Sequence, residues 1–224
     1  MGETTTRPGK ATPSAATSSV FRIREARFLR SAPTMEALGA AEAPEVAFLG
    51  RSNVGKSSLL GILLDRPKLV RVSKEPGRTR DINLFGLDVL RVENGETQVK
   101  SICLVDLPGY GYAKVSKSEK DRMGRLISSF LMHRTSLVAA CQLFDVRHVP
   151  SSDDQLLYQD LCGASFQHVK VATKCDKLPV SKRKGGKMQL AKRLECDARD
   201  IVLFSSSARL GRDDLWRRIW SSLP

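Results

Sequence analysis

Apolar and polar positions change character near residue 20. Residues 1–20 are rich in Thr, Ser, Pro, Gly and Ala and hold almost no large apolar side chain, too little burial to offset the entropy of ordering. A disordered tail is expected there, followed by one globular domain over residues 21–224. From Val46 the pattern tightens: "EVAFLG" is an apolar run ending on glycine, and in "KSSLLGILLD" the leucines recur at helical spacing, which reads as strand, loop, helix. "INLFGLDVLRV" and "TQVKSICLVD" flank "ENGE", and an Asn-Gly between two β-rich runs predicts an antiparallel hairpin. Further on, the runs "LVAACQLFD", "HVKVAT" and "IVLFS" alternate with helix-compatible segments around 117–134, 153–162, 182–196 and 212–222. Buried strands alternating with helices imply right-handed crossovers and helices on both faces of a mainly parallel sheet. The expected fold is a three-layer α/β domain with one hairpin strand reversed.

Composition narrows the function classes. Of 224 residues 41% are hydrophobic, enough for one sizeable core, and the formal net charge is +13, which favours polyanionic partners. No run of 18 apolar residues exists and the N-terminus lacks the apolar stretch of a secretory signal, so a cytoplasmic protein with no membrane partner is expected. Cys103, Cys141, Cys162, Cys175 and Cys196 are scattered without CxxC spacing and read as small buried hydrophobes rather than as a zinc or disulfide framework. His133, His148 and His168 are isolated and read as packing or surface residues.

The chemistry lies between the apolar runs. "GRSNVGKS", comprising Gly50, Arg51, Ser52, Asn53, Val54, Gly55, Lys56 and Ser57, matches G-x-x-x-x-G-K-[ST] between a predicted strand and a predicted helix, as a P-loop NTPase requires. Backbone amides and the helix N-terminus would cradle phosphate, Lys56 would reach the β- and γ-phosphates, and the Ser57 hydroxyl would ligate Mg²⁺. "CLVDLPG" then brings Asp106 to a strand end, where it can hold a magnesium-bound water, with the Gly109 amide free for a γ-phosphate. Guanine offers one carboxylate a ring N–H and an amine together, and "VATKCDKL" supplies Asp176 as that acceptor, with Lys174 flanking the ring and Thr173 bracing the loop. In "FSSSARLG", Ser205 and Ser206 can bring backbone amides toward the guanine oxygen, although a plain Ser-rich turn reads the same.

In this order and spacing the motifs resemble translation-factor-type P-loop GTPases. "PEVAFLGRSNVGKSSLL", "SKEPGRTRDINLF", "DLPGYGYAKVSK" and "DVRHVPSSDD" look like the EngB (YihA/YsxC) family of bacterial GTPases, within the TrmE-Era-EngA-EngB-Septin-like group. The resemblance runs from about Phe21 to the C-terminus. It implies a Ras-like six-stranded sheet and a site for GTP or GDP with Mg²⁺. A first switch at Gly77, Arg78, Thr79, Arg80 and Asp81 would let Thr79 join Ser57 on the metal. A second switch would comprise Asp106, Leu107, Pro108 and Gly109, and the base contacts would come from Thr173, Lys174, Cys175, Asp176, Phe204, Ser205 and Ser206. Lys56, Thr79 and Gly109 form the expected catalytic set. The family's role, by the same resemblance, is assembly of the large ribosomal subunit, needed for normal cell division and septation. "INLF", "RTR" and the tail before Phe21 depart from the family pattern.

Tyr110 occupies the position where many small GTPases carry a water-orienting glutamine, and a phenol ring has no amide to do that work. A low intrinsic hydrolysis rate is expected. Asn53 either braces the loop or, as the resemblance implies, coordinates a K⁺ ion that supplies the missing positive charge. Lys177, Lys182, Arg183, Lys184, Lys187, Lys192 and Arg193 fall within 177–193 with no acid among them, and Arg66, Lys68, Arg71, Lys74, Arg78 and Arg80 face only Glu75 within 66–80. These runs read as solvated faces or as surfaces for a phosphate backbone. With the resemblance they imply a precursor of the large ribosomal subunit and its rRNA as partner, no DNA, and a monomer. Two other readings remain open: an ATP-consuming P-loop enzyme such as a small-molecule kinase, and a low-activity guanine-nucleotide scaffold for division proteins.

Overall fold

The computed structural model describes residues 19–72, 81–111 and 116–224. In these, β1 (Val20–Ala32), β2 (Glu45–Gly50), β3 (Ile82–Glu93), β4 (Glu96–Asp106), β5 (Leu137–Asp145), β6 (Gln167–Thr173) and β7 (Ile201–Leu203) form one sheet in the order β1-β3-β4-β2-β5-β6-β7. The helices are α1 (Lys56–Leu63), α2 (Pro67–Val72), α3 (Lys117–His133), α4 (Ser152–Cys162), α5 (Val180–Arg193) and α6 (Arg212–Trp220). β2 pairs in parallel with β4 and β5, and β5, β6 and β7 continue in parallel. β3 is antiparallel to both β1 and β4, so β3 alone runs against the rest. The mainly parallel α/β sheet with one reversed hairpin strand is the expected fold. The hairpin turns at Asn94 and Gly95, both at positive φ (53° and 82°), as a tight turn matched to strand twist demands.

β1 makes seven strands where six were expected. Its sequence, "VFRIREARFLRSA", shows no clean alternation because two bulges, at Ile23/Glu25 and Phe28/Arg30, reset which parity faces inward. Val20, placed in the tail by composition, already belongs to it. The four arginines and one glutamate exposed along it suit an edge strand, since charge discourages pairing with another chain. α2 is also unannounced by periodicity; Pro67 opens it at the first helical position, where no N–H is needed.

Alternate residues of β2 serve two cores. Val46 and Phe48 pack with Leu59, Leu60 and Leu63 of α1 and with Trp216 and Ile219 of α6, whereas Ala47 and Leu49 pack with Leu126, Ile127 and Phe130 of α3. A third cluster seats Leu190 and Ala191 of α5 on Phe144 and Ala172. Glu45 at the start of β2 is 1% exposed and satisfied by a two-pronged pair with Arg134 (both 2.7 Å) and by Ser136 Oγ (2.9 Å), which ties the end of α3 to the central strand. Cys103, Cys141 and Cys175 are buried as expected; Cys162 is exposed and Cys196 half-buried, because both lie at the margin where α4 and α5 end. No helix of the described residues is long and apolar enough to cross a membrane.

Candidate nucleotide-binding site

The strand ends converge at one edge of the sheet. β2 stops at Gly50, where any Cβ would sit 2.8 Å from Val54 Cγ1 and 3.1 Å from the Leu143 carbonyl, so the loop can fold back only over a glycine. The loop passes Asn53 (φ 64°) and Gly55 (φ 106°) into α1, whose N-cap has no side-chain hydrogen bond and whose first turn carries no acid. Amides left without intrahelical partners and an uncompensated dipole make this helix start a receptor for an anion. Thr173 Oγ1 shares its one proton between the Val54 carbonyl (2.7 Å) and the Phe144 carbonyl (3.0 Å), and Lys174 Nζ donates to the Asn53 carbonyl (2.5 Å). The loop is therefore braced from the end of β6.

A cleft of about 310 Å³ is lined by Arg51, Ser52, Asn53, Lys56, Ser57, Asp106 and Gly109, together with Asp81, Asn83 and Lys174. Lys56 Nζ donates to Asp106 Oδ1 inside it, so the groups expected to handle phosphate and metal are adjacent and neutralise each other. Leu107 is buried with its N–H on the Phe48 carbonyl (3.2 Å), and Pro108 is buried beside it; within "DLPG" Asp106, Leu107 and Gly109 line the cleft, and Pro108 does not. A Cβ on Gly109 would crowd Ser52 at 3.3–3.4 Å, which keeps the turn close to the phosphate loop. Gly77, Arg78, Thr79 and Arg80 lie outside the described residues, while Asp81 lines the cleft and accepts from Ser31 Oγ (3.3 Å). A larger cleft of about 640 Å³, between β1 and the start of α6, contains none of these residues; functional groups rather than volume assign the site.

Tyr110 turns away from this cleft. Its N–H and carbonyl join Gly50 and Ser52, and its hydroxyl donates to Asp154 Oδ1 (2.9 Å) at the first turn of α4. Burial, and then the Asp154 carboxylate, push its phenol above the ordinary tyrosine value. A water-orienting role for this side chain is therefore excluded by direction as well as by chemistry.

At the base-reading end, Ser205 Oγ donates to Asp176 Oδ1 (2.7 Å) and this bond, more than the small opposing burial, holds the carboxyl below its ordinary value. Cys175 is buried, its N–H on the Phe204 carbonyl (3.2 Å), and Phe204 is fully buried, so both act by fixing the loop. The Ser205 N–H donates to the Leu210 carbonyl (3.0 Å), because the turn closes on itself there. Asp145, which opens "DVRHVPSSDD" but was given no role from the sequence, pairs with Lys174 Nζ (3.0 Å); burial alone would raise its carboxyl, but hydrogen bonds from Arg147 and Lys174 hold it well below the carboxylate range. It sets the direction of the lysine expected to flank the base. Its position at a strand end was the local sign, but the contact with Lys174 that gives it a role is not local.

Residues 45–174 match the family described as 50S ribosome-binding GTPase. A probable GTP-binding protein EngB of Shouchella clausii (strain KSM-K16) is 39% identical over 204 residues, covering 91% of this chain and 98% of that protein. The crystal structure of a probable GTP-binding protein EngB has the same fold, with a TM-score of 0.61 at 22% identity over 80% of this chain and 97% of the other. Era in complex with MgGDPNP and nucleotides 1506–1542 of 16S ribosomal RNA superposes with a TM-score of 0.60 at 25% identity, over 81% of this chain and 57% of Era. Likeness along nearly the full length of both chains goes far beyond a shared phosphate loop: this chain belongs to the EngB family of GTP-binding proteins and is a GTPase.

Proposed function

We propose that this GTPase is a Mg²⁺-dependent switch that acts on a precursor of the large ribosomal subunit in the cytoplasm, and that normal cell division and septation depend on it through that role. The observation that carries the nucleotide part is the single cleft in which Lys56, Ser57, Asp106 and Gly109 meet, braced by Thr173 and Lys174 from the base-reading strand. Among the described residues no group of three or more His, Cys, Asp and Glu could hold a metal by itself. The Ser57 hydroxyl and the Asp106 carboxylate are hard oxygen donors that suit Mg²⁺, an ion bound through few protein oxygens with water and phosphate completing its shell. Ser57 and, through water, Asp106 would hold Mg²⁺, which would supply positive charge against the phosphates.

In the reaction, water oxygen attacks the γ-phosphorus while the bond to the β–γ bridging oxygen breaks, giving GDP and phosphate. Lys56 leaves Asp106 to meet phosphate oxygens, and the α1 amides and the Gly109 N–H hold the charge that develops. Thr79 would add its hydroxyl to the metal shell. Asn53, whose side chain makes no hydrogen bond to described residues, is free to take K⁺, which would make hydrolysis faster in K⁺ than in Na⁺. The partner assignment is supported by the family's description as ribosome-binding, by Era's complex with ribosomal RNA, and by the basic α5 that follows the base loop.

Co-sedimentation with large-subunit particles in GTP, GDP or no nucleotide tests the proposal. Retention that is strongest with GTP is the expected result; absence of retention under all three conditions would overturn the partner.

A further inference from the structure

Asn83, the asparagine of "INLF", has been given no role above. It is the second residue of β3, is 4% exposed, and lies between Ile82 and Leu84 in a stretch otherwise apolar. In the antiparallel β3–β4 ladder it is directly opposite Asp106. Opposed residues of such a pair leave the sheet on the same face with Cβ atoms about 4.5–5.5 Å apart. Asn83 accordingly lines the same 310 Å³ cleft as Lys56, Ser57 and Asp106. Its carboxamide nitrogen donates to the Asp81 carbonyl (3.4 Å), which orients the group. Its oxygen, Oδ1, is buried and has no hydrogen-bond partner among the described residues. A buried acceptor left without a donor is costly, and an apolar side chain would serve β3 better unless a donor arrives in function.

We infer that Asn83 Oδ1 accepts a hydrogen bond from water bound to Mg²⁺, so that Asn83 and Asp106, paired across the hairpin, together hold the outer sphere of the ion. The inference rests on the Mg²⁺-dependent reading above and adds a residue to it. Mg²⁺ gives up its waters reluctantly, so protein oxygens act on it largely through them. A metal-bound water is polarised into a strong donor, and a carboxamide oxygen is a pure acceptor with two lone pairs. Asn83 is thus a positioning residue for the metal, acting through its water.

The test is a Mg²⁺ titration of the complex with a fluorescent GDP analogue, read as nucleotide affinity and dissociation rate, for the wild-type chain, Asn83→Ala and Asn83→Asp. Loss of a partner that orients metal ligation typically costs about 10- to 100-fold in metal affinity. Asn83→Ala should raise the half-saturating Mg²⁺ concentration by about that factor while its GDP affinity in EDTA stays at the wild-type value. Asn83→Asp, which restores an acceptor oxygen, should return the Mg²⁺ dependence. A wild-type chain indifferent to Mg²⁺ would overturn the magnesium reading itself. A wild-type response with an unshifted Asn83→Ala would overturn the role of Asn83 alone. Loss of GDP affinity in EDTA by both variants would assign Asn83 to bracing the sheet and overturn it equally.

Discussion

Asp176 arrives at the base loop already oriented. Ser205 Oγ holds one carboxylate oxygen and lowers the carboxyl's pKa, so in the proposed reading the other oxygen would meet the donors of guanine. Asp176→Asn replaces an ionised acceptor with an amide that presents donors to donors. A hydrogen bond to a charged group contributes about 1.5–3 kcal/mol, so GTP affinity should fall roughly 10- to 150-fold, and a xanthine nucleotide, which offers a carbonyl at that position, should gain. Competition titrations with fluorescent nucleotides measure both, and an unchanged preference for GTP would remove Asp176 from base reading. The residues that could be read from the sequence are those whose role is set by a local string: a loop that must bend at Gly50 and Gly55, a strand end at Asp106, an acid at Asp176. Asn83, Asp145 and the Asp154 partner of Tyr110 could not, because each role depends on strand register or on a contact between residues far apart in the chain, 44 positions for Tyr110 and Asp154.

The elements follow the same division. β2 to β7 and five helices were visible as apolar runs or helical spacing, since each buries a face with its own period, whereas the bulges of β1 erase the period and α2 is too short to have one. What joins these elements is polar and was not visible at all. Gln142, fully buried on β5, donates to the Asp154 carbonyl of α4 (2.9 Å) and meets His168 Nε2 of β6 through Oε1 (3.1 Å). Because Oε1 can only accept, Nε2 carries the proton and the buried Nδ1, without a partner among the described residues, is left bare. Burial, reinforced by Lys170, lowers the His168 pKa from 6.5 to about 4. The unfolded chain therefore takes up a proton between these values that the folded chain refuses. This contribution to stability is complete above pH 6.5 and is lost as pH falls toward 4, by up to about 3 kcal/mol. Urea unfolding at pH 7, 5.5 and 4.5 should show the loss, and His168→Gln, which keeps a donor for Gln142, should flatten the curve in that window. Equal slopes in both proteins would refute the assignment.

At the scale of the whole molecule, the +13 charge matters through where it is carried. α5 begins just after the base loop, and Lys182, Lys192 and Arg193 are exposed on it. At 100° per residue these three fall within about a third of a turn of one another. Arg147 flanks the cleft of about 570 Å³ that Lys192 and Arg193 border, so the positive surface continues from α5 toward the end of β5, where Asp145 orients Lys174. A phosphate backbone lying there would touch the nucleotide site through rigid elements. Each phosphate contact releases counterions and adds about 0.7–0.9 to the slope of log affinity against log salt. Replacing Lys182, Lys192 and Arg193 by Gln should therefore lower that slope by about two to three for large-subunit particles in the GTP state and weaken retention most at low salt. Affinity for GTP and GDP should not change, because none of the three lines the nucleotide cleft. Were α5 only a solvated face, the variant and the parent would bind particles with the same slope. That outcome would move the proposed ribosomal contact off α5 without touching the GTPase assignment.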